Sequence, residues 1–406
     1  MSKSIGSIVC GFVVAAGVSS AAAQTLTTLV SFNFANGANP LASVTLSGDT
    51  LYGTTENSGA ANLGTVFSVP VIGGPPTTLA TFNGTNGSNP RAGLTLSGNT
   101  LYGTARFGGA SNVGTVFSVP VTGGPPTTLA TFNGANGANP AAGLTLSGNT
   151  LYGTTYFGGA GTAGTVFSVP VTGGTLTTLV TFNVANGANP AAGLTLSGNT
   201  LYGTTVFGGA SNFGTVFSIP VTGGTLTTLA TFDGANGAYP PAGLILSGNT
   251  LYGTTAGGGA GDLGTVFSVP VTGGTPTTLA TFNGANGAQP QAGLILSDDT
   301  LYGTTVQGGA SSLGTVFSIP VTGGTPTTLA PFNGTNGANP YAGLTLSGNT
   351  LYGTTFQGGS SGIGTVFALV LPLQCGSPDF DGDGDGGTDA DIEAFFRVIA
   401  GGPCGP

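Results

Sequence analysis

One string of residues returns every fifty positions along this chain. Leu-Tyr-Gly-Thr begins at Leu51, Leu101, Leu151, Leu201, Leu251, Leu301 and Leu351, and Gly-Thr-Val-Phe follows in every copy, ending at Phe67, Phe117, Phe167, Phe217, Phe267, Phe317 and Phe367. Residues 25–374 are therefore seven units of 50, with 24 residues before them and 32 after. Such a chain has few folds open to it, because each unit must bury its apolar surface against a copy of itself.

Every unit holds four strand-like runs divided by turn residues. In the third unit Thr127 to Phe132 leads into a Gly/Asn/Pro loop, followed by Gly143 to Leu146, a Ser147-Gly148-Asn149 corner and Thr150 to Thr155. After the loop 156–164 comes Thr165 to Val171, and Gly173-Gly174 turns the chain into the next Thr-Thr-Leu. The runs are rich in β-branched and aromatic residues, which favour strands. Gly-Asn between two of them signals a tight hairpin. No stretch of the repeat has helical period.

Four strands in a unit of this length, repeated seven times, predict an all-β fold, a seven-bladed β-propeller with four antiparallel strands per blade. With the runs lettered A (Leu-Thr-Leu), B (Leu-Tyr-Gly-Thr), C (Thr-Val-Phe) and D (Thr-Thr-Leu), the array opens on a lone D at Thr27 to Phe32 and ends on A, B and C from Gly343 to about Leu371. The last blade is complete only if the N-terminal strand pairs with the C-terminal three. An open β-solenoid is the alternative, and it would leave the first D and the last C as bare sheet edges.

The run Leu-Tyr-Gly-Thr-Thr, then Gly-Gly, then Gly-Thr-Val-Phe, resembles the bacterial GloVer tandem-repeat family, and the resemblance covers all seven units. The first unit departs slightly, with Ser58-Gly59 in place of Gly-Gly. That family brings no established activity with it.

Composition removes several functions. With no His, no Ser-His-Asp triad, Cys-His dyad or His-ligated zinc site can be built from this chain. Four Lys and Arg against 13 Asp and Glu, a net charge of -9, leave no basic surface for nucleic acid. Residues 1–23 read as a cleaved secretory signal, with Lys3, an apolar stretch from Ile5 to Val18, and Ala21, Ala22 and Ala23 before Gln24. A retained membrane helix is the alternative for that segment. No later segment has enough uninterrupted apolar residues to span a bilayer, so we expect an exported, secreted or cell-surface or periplasmic protein without a transmembrane span, its monomeric propeller occupying residues 24–374.

The seven copies can be compared with one another. The D-to-A and B-to-C connections emerge at one end of an up-and-down blade, and there the units differ most. The residue after the loop proline reads Leu41, Arg91, Ala141, Ala191, Pro241, Gln291 and Tyr341, while the B-to-C loop opens with Glu56-Asn57, Arg106-Phe107, Tyr156-Phe157, Val206-Phe207, Ala256-Gly257, Val306-Gln307 and Phe356-Gln357. Loops on a rigid scaffold commonly carry recognition. Arg91, Arg106, Phe107, Tyr156, Phe157, Phe207, Tyr341 and Phe356 are therefore the candidate binding residues for an extracellular glycan or protein, with drift of surface loops as the competing explanation.

The segment 375–406 carries different chemistry. Asp379, Asp381, Asp383, Asp385, Asp389 and Asp391 alternate along a Gly-rich stretch, a pattern that could turn several oxygens toward a calcium ion. With Asp379 at position 1 of such a loop, Ala390 falls at position 12, so the closing carboxylate must come from Asp391 or another register. Ile392, Phe395, Phe396 and Ile399 then show helical spacing. The tail resembles one half of a type I dockerin or EF-hand, a family whose members usually carry two such repeats and bind a cohesin. A metal-free acidic linker is the alternative. Cys375 and Cys404 bracket the tail and are expected to form a disulfide in an exported chain, with two free thiols as the alternative.

Hydrolysis of a polysaccharide would normally need two positioned carboxylates. Residues 24–374 contain only Asp49, Glu56, Asp233, Asp262, Asp298 and Asp299, with no evident pair among them. The sequence thus favours a non-catalytic binding or structural protein over an accessory subunit or enzyme of extracellular polysaccharide degradation attached through its tail.

Overall fold

The computed structural model of the protein describes residues 24–372. Strand β1 (Leu26–Ser31) precedes a first blade of β2 (Thr45–Ser47), β3 (Thr50–Thr55), β4 (Thr65–Pro70) and β5 (Thr77–Thr81). The pattern recurs as β6 to β9 (95–131), β10 to β13 (145–181), β14 to β17 (195–231), β18 to β21 (245–281), β22 to β25 (295–331) and β26 to β28 (345–370). All seven sheets have four strands, and the last has the order β1-β28-β27-β26. Antiparallel pairing of Leu26 with Leu369 and Ser31 with Thr365 closes the ring, as the order of runs in the sequence requires.

Strand A is shorter than its apolar run suggests. It is three residues long, Thr145–Ser147 in the third blade, because Gly143 and Leu144 belong to the wall of the central channel instead. Ser43 and the six glycines at the same place in the other units, Gly93 to Gly343, line that channel. A Cβ on Gly193 would stand 3.2 Å from the carbonyl oxygen of Gly143, so the inner strands approach as closely as their backbones allow.

The core is not central. It is divided among seven interfaces between neighbouring blades, each built from the same positions. Phe132, at the end of one blade, meets Phe167 of the next edge-on at 5.0 Å, and the same pair recurs seven times around the ring. This explains why strands B and C are apolar on both faces: each sheet is covered on both sides by its neighbours. The buried threonines join adjacent blades through hydrogen bonds. The Thr54 hydroxyl donates to the Ala92 carbonyl, and its counterparts repeat this at every interface, ending with Thr354 to Ala42 across the closure at 2.9 Å. A second set nearer the axis, Thr45 to Leu94 and its counterparts, is present at five interfaces, since Ile245 and Ile295 replace the threonine.

The calcium-binding, disulfide-bonded character expected from the sequence is corrected for this body. Among the described residues no three His, Cys, Asp or Glu come together to hold a metal. The physical reason is dispersal: the six acids are spread over the hairpins and loops of separate elements. No cysteine falls among the described residues either, so packed blade interfaces and the paired chain ends hold the ring together. Asp379, Asp381, Asp383, Asp385, Asp389, Asp391, Cys375 and Cys404 all lie outside the described residues, as does the segment read as a signal. Among the described residues no helix is long and apolar enough to cross a membrane.

Candidate functional site

At the loop end of the ring the connections are stitched together by the backbone. Ala138 and Phe157 exchange hydrogen bonds of 2.8 and 3.0 Å, which ties the loop entering the third blade to that blade's B-to-C loop. Asn139 joins two blades: its carbonyl accepts from Tyr156 N–H at 3.2 Å, while its side-chain amide donates to the Arg106 carbonyl of the preceding blade at 3.2 Å. This position has positive φ in every unit, 55° at Asn139. Asn tolerates that conformation well. The first variable residue of each B-to-C loop is thus held by a neighbour rather than left on a free tip.

The stitching brings together residues far apart in sequence. Arg91 reaches back to the preceding blade and donates from Nε to Glu56 Oε1 at 2.7 Å, with a second contact through Nη2. Glu56 is only 8% exposed. The Arg106 guanidinium lies over the Phe107 ring, 5.0 Å from its centroid. In the next blade Tyr156 and Phe157 meet edge-on at 4.7 Å, and Phe157 remains 44% exposed. Burial, followed by the neighbouring Arg91, pushes the Arg106 pKa down, against the opposing pull of Glu56 and Tyr156. Burial pushes the Tyr156 phenol up, opposed by Arg106. Arg106 therefore senses side chains from three blades.

The remaining candidates form separate groups on the same face. Tyr341 meets Phe356 at 5.7 Å with their rings nearly perpendicular. Phe207 contacts Tyr239 at 5.4 Å, and Tyr239 contacts Phe213 at 5.5 Å. Tyr239 and Phe213 were not among the sequence candidates. Tyr239 occupies the place that Asn139 holds in the third unit, with φ of 59°, an uncommon conformation for a bulky residue. The two phenylalanines that flank its ring offset part of that cost. The signal is present in the repeat, where two units depart from Asn, with Tyr239 and Gln289, and only Tyr239 is aromatic.

A cleft of about 670 Å³ opens beside Phe157, bounded also by Ala163, Val184 and Ala188. Ala163 is the reason for the opening, since the other units carry Leu63, Val113, Phe213, Leu263, Leu313 and Ile363 there. Val184 is 51% exposed with φ of 71°, where five other units have glycine. For a β-branched residue this is a strained conformation. Replacing Val184 with Gly should stabilise the protein by about 1 kcal/mol, measured by chemical denaturation. Destabilisation by the replacement would show that contacts of the valine outweigh its backbone strain.

The loop-face acids already have partners. Asp262 Oδ1 accepts from Gly258 N–H at 2.7 Å, as Asn112 and Asn212 do in their own loops. Asp233 exchanges hydrogen bonds with Asn236 across a turn, the role of Asn in the other units. Glu56 is held by Arg91. Asp49, Asp298 and Asp299 lie on the A-to-B hairpins at the opposite end.

Residues 10–203 and 158–367 match the Gloeobacter/Verrucomicrobia repeat family. No curated protein matches the sequence. Among solved structures, a puromycin-hydrolyzing peptidase of Mycobacterium tuberculosis is similar over 82% of this chain and 52% of its own, with 14% identity and a TM-score of 0.52. A putative 6-phosphogluconolactonase of Bacteroides uniformis is similar over 79% of this chain and 96% of its own, with 17% identity and a TM-score of 0.50. At such identities the likeness is one of fold, and a propeller hosts unrelated activities.

Proposed function

The chain belongs to the Gloeobacter/Verrucomicrobia repeat family, and from that footing we propose that it is an exported, non-catalytic binding protein that recognises an extracellular partner, a glycan or a protein, through its loop face. One observation carries the proposal: the positions at which the seven units differ are gathered on one end of a rigid ring and supplied there with aromatic and cationic side chains. The hairpin end, built by the same repeat, varies little. Export is supported by the charged, apolar and small-residue order of residues 1–23. A non-catalytic role is supported by the structural use of Glu56, Asp233 and Asp262, which leaves no free carboxylate pair on that face among the described residues.

The test is binding of the full chain to arrayed glycans and isolated cell-envelope material. Replacing Phe107, Tyr156, Phe157 and Tyr341 together with Ala should weaken the interaction by at least about tenfold, since aromatic anchors dominate interfaces. Replacing Asp49 and Asp299 with Asn on the opposite end should leave it unchanged. Retention of full affinity by the fourfold variant would move recognition off this face.

A further inference from the structure

Arg91 and Arg106 are the only two cations among the described residues, and both stand on the loop face, one in the loop that enters the second blade and the other in that blade's B-to-C loop. Between them they have one carboxylate, Glu56, which Arg91 holds. The Arg91–Glu56 pair is the only ion pair among the described residues, so Arg106 has no carboxylate of its own among them. Arg106 is thus a partly buried positive charge with no ion-pair partner among the described residues, within a chain whose net charge is -9. In the free protein this arrangement is unfavourable, because burial and a like charge both act against Arg106. A bound anion would relieve both effects. A guanidinium fork fits the two oxygens of a planar carboxylate.

The surroundings restrict what carries that carboxylate. Phe107 lies under the guanidinium, and Tyr156 with Phe157 forms an aromatic edge in the next blade. Ring faces of this kind carry negative quadrupole potential and suit the C–H faces of a pyranose. A densely charged ligand is disfavoured, since among the described residues only one cation lacks an ion-pair partner, while Glu56 and the net charge of the chain repel further anionic groups. We propose that Arg106, with Arg91 beside it, binds the carboxylate of a uronic acid residue within an otherwise uncharged glycan, and that Phe107, Tyr156 and Phe157 receive the sugar rings.

This inference rests on the loop face as the binding surface, and its test separates the two. Isothermal titration of the full chain would use a tetrasaccharide bearing one glucuronic acid, its methyl ester, and a tetrapeptide containing one Glu. The acid should bind at least about tenfold more tightly than the ester, and Arg106→Gln should remove that difference. Glu56→Gln should strengthen binding of the acid, because it removes the competing carboxylate, and weaker binding of the acid by this variant at an unchanged unfolding midpoint would overturn the proposal. Equal affinity for acid and ester, or an Arg106→Gln variant that still prefers the acid, would overturn the proposal. So would a peptide that binds as tightly as the acid sugar. If the ester binds as well as the acid and the aromatic variant loses both, the face remains a binding surface and only its charge selectivity is wrong. Absence of binding to either sugar overturns the uronate assignment outright.

Discussion

A chain lacking residues 24–33 will lose cooperative folding, and its unfolding transition will broaden and fall by tens of degrees or vanish. The deleted segment contains β1, the outer strand of the seventh blade, and with it Leu26, Val30 and Phe32, all buried. Burial of three such side chains is worth roughly 5–9 kcal/mol, comparable with the whole net stability of a typical domain, about 5–15 kcal/mol. The loss extends beyond these contacts. Phe32 belongs to the interface between the seventh and first blades, where it meets Phe67 at 5.2 Å, so its removal opens the ring where the last blade meets the first. The edge of β28 would also be left unpaired and open to association with other chains.

A quieter comparison tests the same point without truncation. Phe32→Ala and Phe132→Ala remove the same side chain from equivalent places, one at the closure and one inside the array. Both should cost about 3–5 kcal/mol. A much smaller cost at Phe32 would show that the closing interface contributes less than the others. Thermal unfolding followed by circular dichroism, with sedimentation to report association, would decide both experiments.

The ring could be read from the repeat because a period of fifty with no slippage leaves the chain no freedom to treat its units differently. Strands B and C could be placed to within a residue, as Thr150–Thr155 and Thr165–Pro170 show, since β-branched runs bounded by Gly mark them on both sides. Contacts between loops of neighbouring blades were not legible. Glu56 and Arg91 are separated by 35 positions and belong to different units, so nothing in either loop names the other as its partner. The candidate aromatics were found one loop at a time for the same reason, and the structure sorts them into separate groups instead of one platform. Tyr239 stands just before the loop proline, whereas the units differ most at the residue just after it. Backbone conformation was equally hidden: Val184 reads as an ordinary apolar residue until its φ of 71° is known.

Replacing Gly164 with Ala should cost about 3–4 kcal/mol from backbone strain and overlap together. Gly164 closes the B-to-C loop with φ of 103°. A Cβ there would stand against the carbonyl oxygen of Thr155 and 2.6 Å from Cδ of Pro190, in the loop that enters the next blade. Neither neighbour can yield easily, since Thr155 is fixed in strand B and Pro190 is rigid. The carbonyl of Gly164 also accepts from Phe182 N–H at 2.9 Å, so a shift of this residue pulls on a fully buried ring. Gly148, in the A-to-B hairpin, offers the control: its φ is 54° and nothing lies within 4 Å of an added Cβ. Gly148→Ala should therefore cost only the conformational term, about 1–2 kcal/mol. Denaturant midpoints for the two variants would measure the difference, and equal costs would refute the close packing of the two loops at Gly164. Because the same turn carries Tyr156 and Phe157, the Gly164 variant should also lose ligand affinity under conditions where it remains folded, and Gly148→Ala should not.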